Sequence, residues 1–302
     1  MADLSVNIAG VQFENPVIAA SGTIGFGHEY GELYPLSVFG GISCKGTTLK
    51  ERPGNPPPRI AETPMGMLNA VGLQNPGVDH FINVELPWLK KQNTVIIANA
   101  AGSTEEDYCN IVEILSDTDV DMIELNISCP NVKKGGAQFG TSPESVEKIT
   151  AAVRNHCKKP LMIKLSPNVA DIAEVARAAE CAGADAVSLI NTLTGMRIDI
   201  NTRRPIIKNV TGGMSGPAVF PVAVRMVWQV KKAVKIPVVG IGGISTWQDA
   251  VEMMMAGADA IQIGTVLFTD PYAPLRITEG LHGFLDTHDM ESVTELTGIV
   301  EV

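Results

Sequence analysis

The chain has 302 residues, 45% of them hydrophobic and 19% charged, proportions that suit a globular protein able to bury a large core. Lysine and arginine number 23 against 33 aspartates and glutamates, a formal charge of −10, which argues against nucleic acid or an anionic membrane surface as the main partner. The start, Met-Ala-Asp-Leu, has no basic flank, and nowhere do eighteen apolar residues run together. Neither export nor membrane insertion is expected, and the cytoplasm is the expected location.

Short β-branched runs alternate with helical patterns along the whole length, as in a parallel sheet built from strand–helix units. About eight such units occur, the number that closes a (β/α)8 TIM barrel, and residues 1–302 are expected to form one domain. An opening hairpin, Leu4 to Ile8 and Val11 to Phe13, is placed to plug one end. The expected barrel strands are Val17–Ala20, Gly41–Cys44, Val95–Asn99, Met122–Asn126, Leu161–Leu165, Ala186–Ile190, Val238–Ile241 and Ala260–Ile263. Expected helices include Thr104–Leu115, Ser142–Cys157, Ile172–Ala182, Pro217–Val234 and Thr246–Ala256. Two connections, Lys45 to Pro76 and Asn191 to Gly216, are too long for simple links and read as structureless binding loops inserted at the active site.

Five cysteines (Cys44, Cys109, Cys129, Cys157, Cys181) are scattered with no Cys-x-x-Cys pair. A disulfide framework or a self-contained zinc or iron–sulfur site is therefore not expected. Cys129 stands apart because Pro130 follows it and cannot extend a strand ladder, which puts the thiol on a turn just past the strand Met122–Asn126. Two readings stay open for it, a nucleophile or base and a small, inert core hydrophobe.

In a barrel of this kind the active site lies at the C-terminal ends of the strands. The polar residues there form a converging set: Ser21, Lys45, Asn99, Asn126 with Cys129, Lys164, Asn191 with Thr192, Gly242 with Gly243, and Gly264 with Thr265. Glycines after the seventh and eighth strands let backbone N–H groups approach an anion at a helix N-terminus, so a phosphate-bearing cofactor is expected there. The stretch Ser21-Gly-Thr-Ile-Gly-Phe-Gly lacks Gly-x-Gly-x-x-Gly spacing, which argues against a nicotinamide site. His28, His80, His156, His282 and His288 have no metal-like spacing, and no metal is expected.

Taken together, Asn126-Ile-Ser-Cys-Pro-Asn-Val, Lys45-Gly46, Asn69-Ala-Val-Gly-Leu, Lys164-Leu-Ser-Pro-Asn, Asn191-Thr, Gly242-Gly243 and Gly264-Thr265 resemble the dihydroorotate dehydrogenases. These are flavin enzymes of pyrimidine synthesis, and the resemblance covers essentially the whole chain. The cysteine resembles the base of the soluble kind rather than the serine of the membrane-associated kind, and Val132-Lys-Lys-Gly-Gly-Ala-Gln-Phe-Gly is similar to the NAD-linked branch. The resemblance implies FMN held by Ser21, Lys45, Gly46, Asn99, Asn126, Lys164, Ile190, Gly216, Gly242, Gly243, Gly264 and Thr265. Orotate contacts are implied for Lys45, Asn69, Ala70, Val71, Gly72, Leu73, Asn126, Asn191 and Thr192. It further implies Cys129 as catalytic base, a lid over Asn131 to Gly140, and a homodimer joined by a subunit carrying FAD and a [2Fe-2S] cluster in a heterotetramer. A fumarate-linked homodimer and a flavin-free barrel that binds a sugar phosphate are the competing readings.

Overall fold

The structure, a computed structural model, describes residues 2–127 and 139–302. Eight parallel strands close into a barrel: β3 (Val17–Ala19), β4 (Gly41–Ser43), β7 (Val95–Ala100), β8 (Met122–Asn126), β9 (Leu161–Lys164), β10 (Ala186–Leu189), β15 (Val238–Ile241) and β16 (Ala260–Ile263), with β16 returning to β3. The (β/α)8 expectation holds, and each expected barrel strand lies within a residue of its observed bounds. Parallel strands covered by helices are buried on both faces and read as nearly unbroken apolar runs; β9, β10, β15 and β16 are buried at every position. Register then decides which side chains share a level. Asn126 pairs with Lys164, and Lys164 with Ser188, so three polar residues from strands far apart in sequence stand side by side near the rim.

Local rules set the helix starts. Thr104, Ser142 and Thr246 each cap a helix through a reciprocal box, with Asp107, Ser145 and Asp249 as partners, and these boxes satisfy backbone donors that the first turn leaves open. The helix expected to run from Ser142 to Cys157 covers Pro143–Arg154; along it Val146, Ile149 and Val153 are fully buried, at the spacing of a single core-facing stripe. The stretch expected as one helix from Pro217 begins as a 3-10 turn, Pro217–Val219, and continues as Phe220–Lys231.

The opening hairpin pairs β1 (Val6–Ile8) with β2 (Val11–Phe13). Its tight turn needs positive φ at both central residues, met by Ala9 at 53° and Gly10 at 85°, while the Asn7 side chain accepts from Gly10 N at 3.0 Å. Phe13 is fully buried, and a Cβ on Gly41 would lie 2.7 Å from its ring. The hairpin thus covers the barrel at the N-terminal end of β4, away from the C-terminal ends of the strands.

The two long connections depart from expectation. They are not structureless: β5 (Ile60–Thr63) and β6 (Gly66–Asn69) from the first join β11 (Leu193–Gly195) and β14 (Gly212–Ser215) from the second in a four-stranded antiparallel sheet, ordered β11-β14-β6-β5. Gly213 pairs with Asn69 and Ser215 with Met67, a pairing between segments more than 140 residues apart. Short strands such as Gly212-Gly-Met-Ser carry little β-propensity of their own and are specified by the partner strand. A smaller hairpin, β12 (Ile198–Asp199) with β13 (Arg204–Pro205), completes the second connection.

Replacing Phe13 by alanine removes a fully buried aromatic ring between hairpin and barrel, and is expected to lower unfolding free energy by about 3–5 kcal/mol, read from denaturant midpoints at unchanged m-value.

Candidate functional site

A cavity opens at the C-terminal ends of the barrel strands, and the added sheet walls it on one side: Asn69, Met67, Met214 and Ser215 line it together with the strand ends. Most of the residues singled out in the sequence meet here. Ser21, Lys45, Gly46, Asn126, Lys164 and Ile190 line the cavity, as do Gly242, Gly243, Gly264 and Thr265. So do Asn69, Val71, Gly72, Leu73, Asn191 and Thr192.

Three do not. Asn99 lies one level below, 1% exposed, with its Nδ2 donating to Glu124 Oε2 at 2.6 Å. Ala70 is fully buried; its N–H donates to Arg59 O at 2.7 Å and its carbonyl accepts from Asn55 Nδ2 at 2.9 Å, so it serves the wall rather than the cavity. Gly216 has φ +104°, and a Cβ there would stand 2.5 Å from Gly66 Cα; glycine is needed for the close crossing of two backbones. Cys129 and the neighbouring Lys133 and Lys134 lie outside the described residues, as does most of the stretch expected to form a lid.

At one end of the cavity the chain is glycine-rich. Gly242 and Gly243 take φ +129° and +78°, and a Cβ at Gly243 would lie 2.8 Å from Gly216 O, so side chains are barred by conformation and by space. Gly264 differs: a Cβ there would make only ordinary contacts of 3.4 and 3.5 Å with Thr23 and Ala20, and glycine at this point keeps the cavity side open. Thr265 Oγ1 donates to Ser215 Oγ at 2.8 Å, tying the β16 loop to the added sheet.

At the other end stand amides and ammonium groups. Asn191 Nδ2 donates to Asn126 Oδ1 at 3.4 Å, Asn191 Oδ1 accepts from Thr192 N at 2.8 Å, and Asn69 Nδ2 donates to Gly213 O at 3.4 Å. Lys45 is reached by a turn whose shape is fixed from two sides: its N–H donates to Gly25 O at 3.0 Å, and Ser21 Oγ donates to Cys44 O at 2.7 Å. Its ammonium passes 3.7 Å from the Cβ position of Gly22.

The floor is built on a residue the sequence reading passed over. Glu124 sits inside the apolar run of β8 with no solvent exposure. Its Oε2 accepts from Ser43 Oγ at 2.7 Å as well as from Asn99, and its Oε1 accepts from Ser188 Oγ at 2.8 Å and Gln262 Nε2 at 2.9 Å. Lys164 Nζ stands 3.7 Å from Oε2. Burial pushes this carboxyl up, but the Lys164 ammonium and the hydrogen bonds from Ser43, Gln262 and Ser188 outweigh it and hold it below the ordinary glutamate value. A charged residue in an otherwise apolar strand was the available signal.

None of the five histidines lines the cavity. His28 and His80 bracket Glu85 at 2.7 and 2.9 Å, and His156 meets Glu113 at 3.2 Å. Among the described residues no cluster of His, Cys, Asp or Glu could hold a metal ion, and no helix is long and apolar enough to cross a membrane. Of the described cysteines, Cys44 is fully buried and its thiol is pushed up by burial, with Glu85 adding to the effect; such a thiol is inert.

A closed parallel barrel whose polar cavity sits at the strand C-termini defines a (β/α)8 protein with a site of the enzyme type. The family model for dihydroorotate dehydrogenase matches residues 3–285, and the chain belongs to that family. Full-length relatives named dihydroorotate dehydrogenase B (NAD(+)), catalytic subunit, are similar to it. That of Bacteroides fragilis is 57% identical over 303 residues, covering 100% of both chains. Those of Caldicellulosiruptor saccharolyticus and Alkaliphilus metalliredigens are 55% identical over 300 residues (99% of this chain, 100% of the relative) and 54% over 296 residues (98% of each).

A glutamate held below its ordinary value contributes stability above the unfolded-state pKa of about 4.3 and loses it as pH falls through the lower folded value. The melting-temperature gap between the natural chain and Glu124→Gln is therefore expected to be constant above about pH 5 and to narrow below about pH 4, as followed by circular dichroism.

Proposed function

We propose that the chain oxidises dihydroorotate to orotate in pyrimidine synthesis, as the FMN-bearing catalytic subunit of an NAD-linked dihydroorotate dehydrogenase. The observation that carries this reading is one cavity with a glycine-lined end suited to phosphate and, facing it, an end of lysines and asparagines suited to an anionic ring of alternating amides. The full-length relatives that bear the name of such a subunit support it.

Three features of this chain fit FMN. Gly242 and Gly243, with Gly264 and Thr265 across from them, offer backbone donors and open space for a phosphate. Asn99 Oδ1 is buried and lacks a partner, 2.9 Å from the Cβ position of Gly46, so an acceptor is aimed at the cavity edge where a ligand donor would satisfy it. Lys164 brings a cation to the floor, which favours negative charge above it. When bound, FMN supplies the acceptor for the hydride that leaves the substrate ring.

The chain's own residues do the rest. Asn69, Asn126 and Asn191 carry both donors and acceptors and orient the ring amides. Lys45, at the mouth of the same cavity, pairs with the substrate carboxylate. Cys129 takes the ring proton as general base, a role carried over from the family resemblance. A cation beside such a thiol favours its thiolate form. Electrons leave through a second subunit with FAD and [2Fe-2S], which passes them to NAD; two copies of each chain form a cytoplasmic heterotetramer. The partner rests on resemblance and on the words "catalytic subunit" in the relatives' name.

The test is the visible spectrum of the purified chain with and without dihydroorotate. Flavin absorbance that bleaches on addition is expected; a colourless protein overturns the flavin reading, and a flavin that stays oxidised overturns the substrate. Cys129→Ala is expected to keep its FMN and slow flavin reduction by roughly 10²–10⁴-fold at neutral pH, the usual worth of a general base; reduction at the natural rate removes Cys129 from that role. Lys164→Ala is expected to loosen FMN or slow its reduction. An iron–sulfur flavoprotein that co-purifies supports the NAD-linked branch, whereas turnover by the chain alone with fumarate supports the fumarate-linked one.

A further inference from the structure

Taking a carboxylate into a protein interior costs several kcal/mol unless its lone pairs and charge are met. Glu124 meets that condition through four donors from four strands, Ser43 on β4, Asn99 on β7, Ser188 on β10 and Gln262 on β16. All four stand at 2.6–2.9 Å. Lys164 comes from a fifth strand, β9. Its ammonium is 3.7 Å from Glu124 Oε2 and 3.5 Å from Gln262 Oε1 on one side, and it lines the cavity on the other. The two side chains are 0% and 7% exposed.

Stability alone is a poor reason for such an arrangement, because apolar side chains of similar volume commonly serve a barrel interior as well or better. The geometry favours another purpose. Four neutral donors fix the carboxylate independently of Lys164, and the lysine reaches it from the neighbouring strand β9, with its ammonium held between anion and cavity. Among the described residues Lys45 is the other lysine on this cavity, and it approaches from the β4 rim over Gly22.

We propose that Glu124 is a positioning residue that acts through Lys164. Its caged carboxylate anchors the Lys164 ammonium at the cavity floor and thereby sets how strongly the site favours negative charge on a ring bound above it. The second half of this statement rests on the FMN reading; the first half does not.

The test is a double-mutant cycle of full-length Glu124→Gln, Lys164→Met and the double variant, read in two ways. Glutamine keeps the volume of Glu124 but not its charge, and its single carbonyl oxygen keeps the acceptor role at only one of the two carboxylate oxygen positions. In thermal unfolding of the chain freed of cofactor, Glu124→Gln is expected to lower the melting temperature because it strands a cation, and adding Lys164→Met is expected to restore much of the loss. Losses that simply add, leaving the double variant lower than either single one, overturn the anchoring. Should Glu124→Gln fail to fold, recovery of folded protein in the double variant is the same rescue, and failure of both overturns it.

With FMN bound, Glu124→Gln is expected to displace the flavin midpoint potential, and most of that displacement is expected to vanish in the Lys164→Met background. An unchanged potential, or an equal displacement with and without Lys164, overturns the action through Lys164, a result that a merely structural role for Glu124 would produce. If no flavin binds, the FMN reading fails, and the thermal cycle still judges the pair.

Discussion

A carboxylate with no access to water governs the upper half of this barrel. Glu124 can be buried only if donors from other strands converge on it, and Ser43, Asn99, Ser188 and Gln262 do so. Because they belong to β4, β7, β10 and β16, the cage ties β8 to strands beyond its own neighbours, β16 and β10 among them. A low-dielectric interior strengthens such a network when it is complete and penalises it heavily when one member is missing. The cavity floor inherits this rigidity: Lys164 is held from below, and Asn126 stands beside it in register.

Above the floor, order comes from elsewhere. The four-stranded sheet assembled from the two long connections supplies a wall that the barrel alone lacks, and it brings Asn69 and Met67 opposite Gly213 and Ser215. Thr265 reaches that wall through Ser215. The last strand loop, the added sheet and the glycine turns therefore form one connected rim. Gly243 and Gly216 contribute by what they omit, since Cβ atoms would press on neighbouring backbone at both. A rim made this way can pass close to a ligand with its N–H groups while the floor below presents charge, the division of labour expected of a site that binds at one end and reacts at the other.

Much of this was legible in the residues. Period and β-branched runs mark all eight barrel strands, and Thr104, Ser142 and Thr246 announce their helices because a cap and its N3 partner are local in sequence. The strand-end rule collected Ser21, Lys45, Asn126, Lys164 and Asn191 without knowledge of their contacts. It also collected Asn99, which the structure sets a level lower, because a strand-end position does not say whether a side chain looks up into the cavity or down into the barrel. The sheet of β5, β6, β11 and β14 was read as loop, since its strands are short, three of the four contain glycine, and the pairing of β6 with β14 is long-range. Glu124 was missed although it is plainly visible in Met122-Ile-Glu-Leu, because attention to polar strand ends skips a charge in a strand's interior.

The sequence by itself determined the barrel, its plug, the helix starts and the set of residues from which a site could be drawn, because periodicity, capping and turn chemistry act over a few residues. It also carried the family, through short motifs spread over the whole chain. Only the tertiary structure decided which of those residues share a level, that two distant insertions form one wall, that Gly216 serves a backbone crossing, and that Glu124 stands under Lys164. Those are matters of register and closure: a strand's inward side chains acquire neighbours only when the sheet curls onto itself, and no spacing along the chain records which strand will bring them.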